Sequence, residues 1–108
     1  MIKSKLFYFI EEKNLELFLK SPKTYFQTPF ELKKHFSSFV IINFSKLIGE
    51  EVKNNNFKKK LKKRNIIYYC PSSYRELIQI IKKGNNYAFF KSTFGLKYFK
   101  ILRILKTN

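Results

Sequence analysis

A single cysteine, Cys70, forbids an internal disulfide and suits a reducing compartment. Three glycines, Gly49, Gly84 and Gly95, stand far apart, so no glycine-rich loop is available to cradle phosphates. One histidine, His35, and one thiol fall short of a metal site, which needs a cluster of ligands. No stretch approaches the ~18 apolar residues that read as a membrane-spanning helix. The scarcity with most functional meaning is that of carboxylates. Residues 53–108 hold 15 Lys or Arg and one acid, Glu76, a net of +14. Residues 1–52 hold 8 basic and 6 acidic residues, a net of +2.

What is present is a core and a strong positive field. At 108 residues the chain forms one domain, and an apolar fraction of 44% is enough to fill its interior. A net charge of +16 repels itself unless an anionic partner neutralises it. Nucleic acid is the first such partner and an anionic membrane the second. Phe, Ile, Lys, Asn and Tyr together make 61 of the 108 residues, against three Arg, one Ala and no Trp. All five have AT-rich codons, which points to an organellar genome, mitochondrial first and plastid second, or to an AT-rich parasite or endosymbiont. Codon bias alone leaves the loss of acids from the second half unexplained. Lys3 and Lys5 precede an apolar run, but Glu11, Glu12 and Glu16 follow at once and no small-residue cleavage site appears, so no presequence is read here.

Taken in order, residues 1–27 read as an N-terminal extension, 28–97 as an α/β core and 98–108 as a basic tail. Within the extension, residues 6–20 favour a helix over strand-turn-strand, ended by Ser21-Pro22. Thr28-Pro29-Phe30-Glu31 is a capping box that opens a short helix to about Ser37. Phe39 to Phe44 is almost wholly apolar and predicts a strand buried on both faces. Glu50-Glu51 start a predicted helix that runs to Arg64, with a thin stripe of Ile48, Val52, Phe57 and Leu61 and a weak middle at Asn54-Asn55-Asn56. Ile66 to Cys70 is the second predicted buried strand, and a helix between two strands implies a right-handed crossover and parallel pairing. Ser73-Tyr74-Arg75-Glu76 is a further capping box, and Leu77, Ile78, Ile80 and Ile81 give its helix an apolar face before Gly84. Tyr87 to Phe90 predicts a third strand, and Tyr98 to Leu105 favours a final helix over a strand. The expectation is thus a βαβαβ core, a short, partly parallel sheet flanked by helices, with a basic C-terminal tail.

Catalysis finds little support in these residues. His35, on the helix Pro29–Ser37, reads as a surface or packing residue, and Cys70 at a strand end reads as a small hydrophobe. No catalytic residue, metal ligand, cofactor or small-molecule substrate is expected. The basic residues are the stronger pattern. Lys58, Lys59, Lys60, Lys62, Lys63 and Arg64 crowd one helix end, more than complementing the helix dipole requires, and Lys53 leads into them. Ser72, Ser73 and Arg75 stand where a helix N-terminus presents free amides to a phosphate, although capping explains Ser73 equally well. Lys91 and Lys97, then Lys100 and Arg103 in the tail, complete the candidate RNA-binding set. Tyr68, Tyr69 and Tyr74 offer rings to unpaired bases, with core packing the first reading for at least two of them.

From Pro29 onward, the order Phe39–Phe44, Glu50–Arg64, Ile66–Cys70, Pro71–Gln79 and Tyr87–Phe90 resembles the ribosomal stalk-base protein family. In that family a hydrophobic strand, a basic helix, a second strand and a helix opened by a lysine-asparagine motif follow one another. Here Pro71-Ser72 or Ser72-Ser73 stands in place of the lysine-asparagine pair. The resemblance implies a structural constituent of the large subunit of an organellar ribosome, with ribosomal RNA and neighbouring ribosomal proteins as partners. It also implies that the basic helix and the turn Pro71–Arg75 face RNA together. The alternative expectation is a small accessory subunit of an organellar membrane complex, with Leu6–Phe9 and Tyr98–Leu105 lying at the membrane interface.

Overall fold

Five consecutive apolar side chains, Leu6 to Ile10, have no polar face to turn to solvent, and the chain places them at the centre of a sheet. The computed structural model describes residues 2–20, 34–53, 56–81 and 86–90. Its elements in order are β1 (Ile2–Ile10), α1 (Glu12–Lys20), β2 (Phe36–Asn43), a 3₁₀ turn (Ser45–Ile48), α2 (Phe57–Lys62), β3 (Ile67–Tyr69), α3 (Tyr74–Ile81) and β4 (Asn86–Phe90). The strands form one four-stranded sheet in the order β3-β2-β1-β4, and every pairing is parallel. In register, Leu6 lies opposite Phe39 and Tyr87, and Val40 opposite Ile67.

Period-two alternation sorts the strand residues onto two faces. Leu6, Tyr8 and Ile10 of β1 join Phe39 and Ile41 of β2 under Leu15 and Phe18 of α1 and Phe57 and Leu61 of α2. Phe7 and Phe9 join Val40 and Ile42 on the other face, under Leu77 and Ile81 of α3. This division follows from the strand order. The chain steps in one direction from β1 to β2 to β3, then reverses across the sheet to β4. Right-handed crossovers put helices on one face during the first movement and on the other after the reversal. The molecule is therefore a small α/β domain of the doubly wound kind.

The α2 terminus shows how local chemistry fixes the layout. Asn65 adopts the left-handed conformation (φ 61°). Its amide donates to the Lys62 carbonyl and the Ile66 amide donates to the Leu61 carbonyl, each at 3.0 Å, which is a Schellman motif. Leu61 and Ile66, the hydrophobic pair that goes with such a motif, are both buried in the α1–α2 core.

The structure bears out an α/β domain with parallel strands and corrects several expectations. Residues 2–20 are the central strand and the first helix, not an extension and not a helix throughout. The helix expected over Glu50–Arg64 is confined to Phe57–Lys62, so Glu50 and Glu51 open no helix. The expected stripe divides accordingly, with Ile48 packing on the α3 side and Phe57 and Leu61 on the α1–α2 side. β3 is not buried on both faces. It is an edge strand whose Ile67 and Tyr69 are each 41% exposed. Phe36 and Ser37 begin β2 instead of ending a helix, and His35 lies in an exposed turn. The expected third strand is the fourth, paired with β1. The capping box at Thr28 and the helix over Tyr98–Leu105 lie outside the described residues.

Candidate nucleic-acid interface

In doubly wound sheets ligands usually bind beyond the carboxyl ends of the strands, where the strand order reverses. Here that point lies between β1 and β4. The turn after β1 is Glu11-Glu12, running straight into α1. Two carboxylates at the helix N-terminus occupy the position that would otherwise attract a pyrophosphate, and they repel it.

Several polar side chains at this end hydrogen-bond inward. The buried Ser45 hydroxyl accepts from the Glu12 amide at 2.8 Å, and the Ser45 amide donates to Asn43 Oδ1 at 3.1 Å. Asn43 Nδ2 donates to the Tyr68 hydroxyl at 3.1 Å. Glu12, only 8% exposed, accepts from the Lys53 amide through Oε2 at 2.8 Å, while its Oε1 has no hydrogen-bond partner among the described residues. Burial pushes the Tyr68 phenol above its ordinary range, against the hydrogen bond from Asn43. Burial likewise raises the Cys70 thiol, against its hydrogen bond with Tyr68 and the nearby Lys46 ammonium. This network joins α1, β2, β3 and the loop that leads to α2.

The cations gather elsewhere. Lys58, Lys59, Lys60 and Lys62 project from α2, and Lys63 and Arg64 from the turn that ends it; all six are exposed. Only Leu61 interrupts them, and it is fully buried, so the segment anchors by one face and presents charge on the rest. Arg64 Nη2 donates to the Leu19 carbonyl at 3.5 Å, which ties the end of α2 to the end of α1. Between the two helices runs an open groove of about 630 Å³. Lys20, Lys60, Lys63 and Arg64 line it with Leu19, Phe57 and a single acid, Glu16. Lys53 is exposed on the preceding loop, 3.8 Å from Glu51.

The expected joint face of the basic helix and the Pro71 turn does not form. α2 ends where β3 begins and α3 starts where β3 ends, so the two clusters lie at opposite ends of that strand. Ile66 to Cys70 alone spans about 13 Å at ~3.3 Å per residue. The helices also cover opposite faces of the sheet. Moreover, both Ser72 donors and the Glu76 amide at the α3 N-terminus are already engaged. Ser73 Oγ accepts from the Glu76 amide at 3.2 Å, and Glu76 Oε2 accepts from both the amide and the hydroxyl of Ser72 at 3.0 Å. These two bonds hold the exposed Glu76 carboxyl below its usual range. Ser72 and Ser73 are therefore capping residues here, and Arg75 lies on the layer opposite to α2. Lys91, Lys97, Lys100 and Arg103 lie outside the described residues.

Lys20 and Glu16 belong to the basic layer and escape the sequence reading, because residues 6–20 read as one element. The acids Glu11 and Glu12 after an unbroken apolar run are the signal that separates strand from helix. No family model, curated protein or solved structure matches the chain.

Proposed function

We propose that the protein is an RNA-binding structural constituent of a ribonucleoprotein, docking on folded RNA through the α1–α2 layer. The observation that carries this reading is the segment Lys58–Arg64. Six of its seven residues are exposed cations without an intervening acid, held to the core by Leu61. Each phosphate they neutralise releases condensed counterions, the main source of sequence-independent affinity. Among the described helices α2 alone carries an excess of charge, four lysines and no acid, whereas α1 and α3 each balance their acids and bases. A mutational drift toward lysine would not by itself single out one short helix and exclude acids from it.

The particle that composition and chain order support best is an organellar ribosome, mitochondrial first and plastid second. Ribosomal RNA and neighbouring ribosomal proteins would then be the partners. The rival reading at a membrane surface loses one of its two supports, because Leu6–Phe9 is the buried centre of the sheet. Among the described residues no helix is long and apolar enough to cross a membrane. The test is RNA affinity measured across a salt series. A steep fall with salt, and loss of binding when Lys58, Lys59, Lys60, Lys62 and Lys63 are all changed to Glu, is the expected result. A flat response would overturn the reading.

A further inference from the structure

We propose that the groove between α1 and α2 seats one unpaired nucleotide of the bound RNA, and that Glu16 reads its base; this rests on the RNA-binding reading above. The groove measures about 630 Å³, within the ~300–1,000 Å³ of sites that hold small organic ligands. It is therefore more than a flat phosphate-binding face. Lys20, Lys60, Lys63 and Arg64 supply donors for the sugar-phosphate backbone, while Leu19 and Phe57 supply an apolar lining for a ring.

Glu16 gives the groove its selectivity. A surface that only neutralises phosphates gains nothing from a carboxylate placed among four cations. The Glu16 side chain nevertheless lines this groove, exposed, and makes no hydrogen bond or ion pair with any described residue. An ionised carboxylate only accepts hydrogen bonds, so it favours a base edge that presents N–H groups. Cytosine and adenine each offer one exocyclic amino group. Guanine offers two parallel N–H donors from its pairing edge, the arrangement that fits a carboxylate best. Uracil has a single ring N–H flanked by two carbonyl oxygens that repel the carboxylate. The expected ranking is guanine first, then cytosine and adenine, with uracil last.

The experiment uses the full chain and four RNA hairpins, identical except for one unpaired loop residue: G, C, A or U. Wild-type protein should bind the G hairpin about tenfold more tightly than the U hairpin, within the usual discrimination of a good bidentate contact. E16Q should tighten binding to all four hairpins and collapse the G-to-U ratio to near one, with an unchanged salt slope. Tight, salt-dependent binding without any ranking among the hairpins would overturn the nucleotide seat and leave the docking reading intact. A ranking that persists in E16Q would overturn the role of Glu16. Absence of binding to every hairpin at low salt would overturn both readings.

Discussion

Ser72 gives both its amide and its hydroxyl to one oxygen of Glu76, each at 3.0 Å, so the start of α3 already holds an internal anion. A backbone phosphate would have to displace that carboxylate. Ser72→Ala and Ser73→Ala should therefore leave RNA affinity within about twofold of wild type. Ser73→Ala should instead lower stability by about 1 kcal/mol, the usual worth of an N-cap hydroxyl, as read by urea denaturation. A large loss of RNA affinity in a folded Ser72→Ala variant would restore this turn to the interface.

The same contact makes a pH prediction. Glu76 is held below its ordinary value, chiefly by the hydrogen bonds from Ser72. A carboxyl depressed in the folded state stabilises fully above its unfolded pKa of about 4.3 and loses that contribution as pH falls through the folded value. Denaturation midpoints of wild type and Glu76→Gln should thus differ by a constant amount between pH 6 and 7. The gap should close as the solution is taken below about pH 4. A gap that widens on acidification would contradict the assignment.

Position relative to the sheet should decide which cations matter for RNA. Single Ala substitutions at Lys58, Lys59 or Lys62 should each lower the salt slope of RNA binding by about 1. Arg75→Ala, on the opposite layer, should leave the slope unchanged. Equal effects at Arg75 and Lys62 would mean that charge count, and not the α1–α2 layer, governs binding.

Asn65 tests the turn that aims Lys63 and Arg64. Its left-handed backbone costs an ordinary L-residue roughly 1–2 kcal/mol, less for Asn and nothing for Gly. Asn65→Val should destabilise by about that amount, whereas Asn65→Gly should hold or raise the thermal midpoint. A neutral Asn65→Val would show that the turn relaxes at no cost.

Much of the fold is legible in the residues, and the failures share one cause. Phe39–Phe44 and Ile66–Cys70 announce strands because they are short, apolar and bounded. Ser73 and Glu76 announce a helix start through capping chemistry. The segment 6–20 misleads because its strand is buried on both sides. A strand without a polar face shows no alternation, and it runs without a glycine or proline into a helix. β3 misleads in the opposite sense, since apolar Ile67 and aromatic Tyr69 suggest burial at what is an open edge. The cation cluster itself is plain in the sequence. Its partners on α1 depend on a tertiary neighbourhood that spacing along the chain does not express.

β1 also carries a kinetic consequence. It pairs with β2 from Leu6 to Phe39 and with β4 from Lys5 to Asn86, so its two sides are closed at very different chain separations. Ribosome synthesis delivers this strand long before its second neighbour. Until Asn86–Phe90 arrives, an apolar ribbon keeps one row of backbone groups open to any other extended segment. Parallel, long-range pairing is slow to form. The period of greatest vulnerability to aggregation therefore falls in the nascent chain, when this central strand is only half enclosed.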